Sequence, residues 1–327
     1  MAASIRLTRR RGPSGDAAFR AVIVAAFVAA ILLLVAVIGT IWQWSTPLWP
    51  FESPLAFFTG SGWSGSVADD GTVTAAYGAW PMIWGTLVTS LIGIAVAAPV
   101  GILAAVYLVE FAPRRLSAPL PFLVEITAAI PSVVIGLWAL GDLSPRLRDS
   151  IEWWIASSIG QVVPWLSENP LQPSDTSVFR AGIVLAIMIT PMVVAVGREV
   201  IRSVPQSLRE GFVGMGATDW ETIWRVVLPT ARVGLIGAVL LAFGRAIGET
   251  IAVRLVIGMN ISAVPPTLFQ SGASVAAQIA GGVGEASPIE KGALAGLGLA
   301  LFAMTFTLSL FVRLFIRRAV GAAARAS

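Results

Sequence analysis

The sequence predicts an all-α integral membrane protein of about six transmembrane helices, with both termini in the cytoplasm. Three observations carry that prediction. Of 327 residues, 56% are hydrophobic and only 12% charged, against roughly 25% charged in soluble domains. The charges are withdrawn from long apolar runs, several of which reach the roughly 20 residues needed to cross the hydrocarbon core. The arginines gather at alternate ends of those runs, as a chain threading back and forth requires.

The first element follows Arg6, Arg9, Arg10 and Arg11 and runs from Ala21 to about Trp42. It is longer than the roughly 7–15-residue apolar core of a secretory signal. It leads into Trp42, Trp44 and Trp49, which suit an interfacial aromatic belt, so it reads as a retained helix. Further spans are expected at 82–109, 119–141, 179–198, 233–257 and 292–312, the fifth interrupted by Arg245, Glu249 and Arg254.

Charge sets the orientation. Segment 43–80 has acidic residues but no Lys or Arg, whereas Arg114, Arg115, Arg198, Arg202, Arg209, Arg225 and Arg232 lie in the links that alternate with it. Arg313, Arg317, Arg318 and Arg325 follow the last span. The positive-inside rule places these links and both termini in the cytoplasm. Of the outer segments, 43–80 is rich in Gly, Ser and Trp. In 142–178, Glu152, Trp153, Trp154, Ile155, Ile159, Val162 and Val163 give roughly one apolar helical face. That face is either a helix in the headgroup layer or a docking surface for an external partner.

Several function classes are excluded. With no cysteine and no histidine, disulfides, thiol redox chemistry, the usual zinc sites and histidine acid–base catalysis have no residues to use. The net charge of +4 and pI near 10.5 do not imply nucleic acid, because the arginines flank spans rather than form a groove-sized patch. A nucleotide-binding P-loop needs a lysine before Ser or Thr, and the single lysine, Lys291, precedes Gly292. Any ATP is bound by a partner.

The link 205–229 reads PQSLREGFVGMGATDWETIWRVVLP. Pro205 to Val213 predicts a short helix broken by Gly214 and Gly216. Thr218 and Glu221 have capping-box spacing, starting a second helix at Asp219 or Trp220. Pro229 is expected to open the fifth span, where its missing N–H is harmless. The link resembles the EAA signature of ABC importer permeases, E-A-A-x3-G-x9-I-x-L-P, through Glu210, Gly211, Phe212, Gly216, Val226, Leu228 and Pro229. Every spacing is kept; Gly211 and Phe212 replace the alanines and Val226 the isoleucine. The resemblance implies a coupling helix that seats in a groove on a separate ATPase subunit.

Within the fifth span, Arg245 lies about 20 Å beyond Arg232 along a helix, near the bilayer middle. There an arginine costs about 2.5–3.5 kcal/mol on insertion scales and marks a functional site by default. Its planar fork suits a tetrahedral oxyanion. Glu249, at i+4, is placed to meet it on one helix face. The pair reads either as an anion site with a built-in competitor or as a self-neutralising structural bridge.

The stretches 77–102, 125–140, 237–258, 265–280 and 284–286 resemble phosphate-specific permeases, and the first two their PstC-type members. The resemblance implies a type I ABC importer permease-like bundle with its core at 77–318. Residues 1–76 precede it as the N-terminus, first helix and outer segment, and 319–327 follow as a cytoplasmic tail. It implies a heterodimer with a PstA-type permease, two PstB-type ATPase subunits carrying ATP and Mg, and a PstS-type phosphate-binding protein outside. This chain would bind no cofactor and perform no catalysis, and would reside in a prokaryotic plasma membrane. By the same resemblance Arg245 and Glu249 match charged residues of translocation. Arg254 reads as a snorkelling residue or an outer-mouth attractor, and Glu125 is a further pathway candidate. Two rivals are a permease for sulfate, molybdate or another oxyanion, and a secondary transporter with Glu249 as proton carrier.

Overall fold

The computed structural model describes residues 13–67, 73–113, 115, 119–167 and 174–323. Helix α1 (Pro13–Ser45) leads to a short α2 (Pro54–Thr59) and a hairpin, β1 (Trp63–Val67) with β2 (Val73–Tyr77). Then follow α3 (Trp80–Val106), α4 (Pro119–Ala128), α5 (Ser132–Trp138), α6 (Ser144–Leu147) and α7 (Trp153–Ser157). The second half comprises α8 (Val178–Arg202), α9 (Gln206–Gly214), α10 (Asp219–Thr222), α11 (Leu228–Ile247), α12 (Ile251–Ile257), α13 (Val275–Gly282) and α14 (Pro288–Ala323). Among the described residues five helices are long and apolar enough to cross a membrane.

The centre is the α3–α8 pair, joined through small residues. A Cβ on Gly101 would lie 2.7 Å from the Val193 Cβ, and one on Gly182 would lie 2.6 Å from the Ile92 Cβ. In lipid, where apolar side chains gain little by leaving their surroundings, such close backbone approach is what holds helices together. Around this seam Val184, Leu185, Ile189 and Val193 pack with Ala242, Val253, Val256 and Ile257. A second cluster at one end joins Leu48, Phe57, Tyr77 and Met82 to Leu294 and Leu297. A third at the other end joins Ala105 and Val106 to Ile201, Val204, Ile223, Val227 and Leu235. The outward faces of α1, such as Phe19 at 68% and Leu33 at 67% exposed, are apolar because their solvent is lipid.

Two expectations are corrected. Span 119–141 is two helices, because Pro131 removes a donor and disfavours a helical residue before it; α4 ends at Ala128 and α5 restarts at Ser132. From there the chain stays helical to Ser157 through π turns at Ala139–Leu143 and Arg148–Glu152. The span expected at 233–257 is also broken, at Gly248–Thr250 between α11 and α12. Pro229 lies in the first turn of α11, as expected, although the helical run reaches back to Asp219. A π turn at Ile223–Val227 precedes the proline and gives its ring room in the preceding turn. The segment 43–80, for which no element is expected from the sequence, contains a hairpin, with Trp63 opposite Tyr77 and Val67 opposite Val73. Trp63 Nε1 donates to Glu290 Oε1 at 3.0 Å, tying it to α14.

The segment 258–274 is irregular and is tied to its neighbours by backbone bonds. Asn260 donates to the Gly272 carbonyl, Gly272 to Ile257, and Ser177 to Val256. Gly258 adopts φ 82°, a conformation open to glycine, and its chain lies against Thr176 and Ser271.

Candidate functional site

Two places carry unusual chemistry: the break in the fifth span and the helical link before it. At the break, α11 ends at Ile247 with Gly248 as its C-cap. Glycine is among the weakest helix formers, and Glu249 bonds only back to the Ala246 carbonyl through its N–H, at 3.2 Å. The next helical bond runs from Arg254 N–H to the Thr250 carbonyl at 3.0 Å. Non-helical backbone at membrane depth is tolerated where it is buried in protein or lines a water-filled cavity.

Arg245, in the last turn of α11, is exposed, and Glu249, in the break, is half-buried. The i,i+4 geometry expected for them requires a continuous helix, which stops between them. Among the described residues they form no ion pair with each other, so the self-neutralising bridge is not made. Arg254 is also placed differently from expectation. It turns inward rather than snorkelling: Nη1 donates to the Ala277 carbonyl at 2.8 Å and meets the Met259 sulfur at 3.6 Å. Gly281 leaves the space its guanidinium fills. Arg254 thereby pins α12 to α13. Glu125 belongs to α4, but its side chain lies outside the described residues.

The link keeps its predicted local structure with each bond accounted for. Helix α9 closes with Met215 as C-cap, and Gly216 adopts φ 92°. Gly216 N–H donates to the Val213 carbonyl at 2.9 Å and Ala217 N–H to the Phe212 carbonyl at 3.3 Å. These are the two bonds of a Schellman closure, and its left-handed residue is best supplied by glycine. Thr218 then caps α10. Its side chain accepts from Glu221 N–H at 3.3 Å, and Glu221 Oε2 accepts from Thr218 N–H at 3.0 Å.

Glu210 and Gly211 are exposed, and Phe212, Val226 and Leu228 half-buried. Leu208, Val213, Met215, Trp220 and Trp224 are 46%, 46%, 76%, 57% and 51% exposed. The two indoles meet edge to face at 5.6 Å. An exposed apolar surface of this kind marks a contact with another protein or with the membrane. Beside it lies a cleft of about 690 Å³ between the end of α3 and helices α9 and α10, lined by Glu110, Arg209, Glu210 and Asp219.

Sequence reasoning missed one buried site. Arg180 and Glu152, with side chains 2% and 5% exposed, form a two-point pair, Nε to Oε1 and Nη2 to Oε2, both 2.8 Å. Arg180 also donates to the Asp175 and Ser174 carbonyls, and Ser177 Oγ donates to Glu152 Oε1. The pair joins the π turn before α7 to the start of α8. Its residues are 28 apart and each has an ordinary surface reading, so no local pattern reveals it. In 142–178, Trp153, Trp154 and Val162 are 60%, 60% and 83% exposed, whereas Glu152 faces inward.

Among the described residues there is no group of His, Cys, Asp and Glu suited to a metal ion.

The profile of the family described as "Binding-protein-dependent transport system inner membrane component" matches residues 97–321. The chain belongs to this family of multi-pass membrane transport components. It is 39% identical over 253 residues to the phosphate transport system permease protein PstC of Pasteurella multocida, covering 75% of this chain and 77% of the relative. It is 36% identical over 316 residues to PstC of Mesorhizobium japonicum, covering 95% of this chain and 93% of that protein. The fold is similar to a chain in the crystal structure of a bacterial ABC transporter involved in import of the acidic polysaccharide alginate. That match has a TM-score of 0.51 and 16% identity, and covers 73% of this chain and 78% of that one.

Proposed function

We propose that this chain is a transmembrane permease subunit of an ATP-driven inorganic phosphate importer. The carrying observation is its likeness, over 95% of its length, to a protein named as a phosphate transport permease. The coupling-loop geometry supports the ABC reading. A rigid helix–turn–helix with an exposed apolar face is suited to seat on an ATPase and to pass its closure to the bundle as a rigid-body movement. The chain supplies no catalytic group; ATP and Mg belong to two PstB-type subunits. A PstA-type permease forms the other half of the path, a PstS-type protein delivers phosphate from outside, and the termini and the 199–232 link face the cytoplasm of a prokaryotic cell. The permease core spans 77–318.

Arg245 is the anion contact. Its guanidinium donates two parallel charge-assisted bonds to a phosphate oxygen pair. Glu249, close in sequence at the break, competes for that charge and keeps the grip weak enough for release. The test of substrate is uptake into proteoliposomes holding the full complex. ATP-dependent accumulation of labelled phosphate that resists excess sulfate and molybdate is expected. Uptake abolished by sulfate or molybdate would move the assignment to another oxyanion. Uptake driven by a proton gradient without ATP would replace the importer reading with a secondary transporter.

A further inference from the structure

Helix α9 carries the signature residues Glu210 and Gly211, yet none of its residues is buried. It follows α8 through Ser203, Val204 and an extended Pro205 at φ −56° and ψ 132°, a junction about which a short helix can pivot. What restrains it is Arg209. Nη1 donates to the Val204 carbonyl at 2.6 Å, and Nη2 donates to the Ile201 carbonyl at 2.9 Å. These lie at the end of α8, where helical partners run out; the Ile201 carbonyl also accepts from Val204 N–H at 3.2 Å. Nη2 also donates to Glu110 Oε1 at 3.0 Å, the two side chains being 13% and 16% exposed. Glu110 lies in the π turn Tyr107–Phe111 that finishes α3. One guanidinium therefore joins α9 to the ends of both helices of the central seam. Its Nε is buried without a partner, so the fork is held in position at the expense of one unmade bond.

We propose that the Arg209–Glu110 clasp is the link that makes α9 move as one body with α3 and α8, so that ATPase motion reaches the transport path. Arg209 and Glu110 are positioning residues and touch no substrate. The reason is mechanical. The glycine-zipped α3–α8 pair moves as a unit, whereas α9 without its clasp is tied to that pair through the Pro205 junction alone, its remaining bonds running through the Gly216 turn to α10. Force delivered to α9 would then be spent on tilting it. This inference rests on the importer reading for its consequence, though not for its geometry.

The chain has no cysteine, so Glu110→Cys/Arg209→Cys is the informative variant, studied in the complete reconstituted complex. With thiols free, ATP hydrolysis is expected to continue while phosphate taken up per ATP falls about tenfold, within the usual range of a coupling between two sites. A thiol-reactive bifunctional linker bridging the two positions is expected to restore the ratio to within about twofold of wild type. A ratio unchanged with thiols free, or still depressed after bridging, overturns the proposal. If that variant does not assemble, Glu110→Gln keeps the shape and an acceptor but drops the charge. It is expected to lower the ratio by about threefold, and no change overturns the clasp. Hydrogen exchange supplies an arm independent of substrate. Amides 206–214 are expected to exchange about tenfold faster in Glu110→Ala, and unchanged exchange also sinks the clasp. A wild-type complex that hydrolyses ATP without taking up phosphate would instead end the importer reading and leave the exchange arm standing.

Discussion

At the scale of residues, buried charge is confined to groups whose bonds are nearly all made. Arg180 and Glu152 satisfy each other and three neighbouring oxygens. Removing one partner leaves the other charged and desolvated, which typically costs about 3–5 kcal/mol. Glu152→Ala is therefore expected to lower the thermal midpoint in detergent far more than Arg148→Ala. Arg148 pairs with Asp149 and with an Asp175 side chain that is 93% exposed, and exposed pairs contribute about 0–1 kcal/mol. Equal midpoints would contradict the assignment of Glu152 as a buried anchor. Tyr77 offers a second residue-scale test. Burial first, and then the Glu290 charge, raise its phenol above the ordinary value of 10.0, with a Ser287 hydrogen bond opposing. Because the folded value is raised, the phenol's contribution is fully present below pH 10 and is lost as pH rises through the folded value. In Tyr107→Phe, which leaves Tyr77 as the single tyrosine of the chain, the midpoint of the phenolate absorbance is expected above pH 10. A midpoint at or below 10 would mean that Tyr77 is not held in the hairpin cluster.

At the scale of elements, the α3–α8 seam and the coupling link show why some parts are legible in sequence and others are not. The link was readable because its signals are local. Pro205, Gly216, Thr218 and Glu221 each act within four residues, and each bond they imply is present. The breaks at Pro131 and Gly248 were harder to place. Hydropathy averages over a window and continues across a break whose two halves are both apolar. The Arg245–Glu249 bridge failed for the same reason, since i,i+4 spacing places two residues on one face only if the helix is unbroken. The clasp of Arg209 with Glu110 joins residues 99 apart, and no periodicity encodes it. The α3–α8 seam yields a packing prediction. Gly182→Val sets a branched side chain where a Cβ alone would lie 2.6 Å from that of Ile92. Overpacking of this kind costs about 1–3 kcal/mol, expected as a lower thermal midpoint by tryptophan fluorescence. A midpoint equal to wild type would show that α3 and α8 are free to separate.

At the scale of the whole molecule, three apolar clusters divide the work along the bundle. One end holds the hairpin and the first turns of α14, the middle holds the broken fifth span, and the other end carries the helical link. Arg245 and the link belong to the same helical run, because the helix that begins at Asp219 ends at Ile247. A shift of α10 is therefore carried along one helical run to Arg245, whereas α9 joins that movement through the Gly216 turn and the Arg209–Glu110 clasp; that Arg245 lies on the transport path is the account's central claim. The measurement that tests it most directly is ATP-dependent phosphate uptake by the reconstituted complex, comparing wild type with Arg245→Gln. Assembly and ATP hydrolysis serve as controls. The account predicts that uptake falls at least about a hundredfold, the scale of losing a charge-assisted pair of bonds, while the complex stays assembled and hydrolyses ATP. Uptake equal to wild type in an intact complex would contradict it and remove Arg245 from the path.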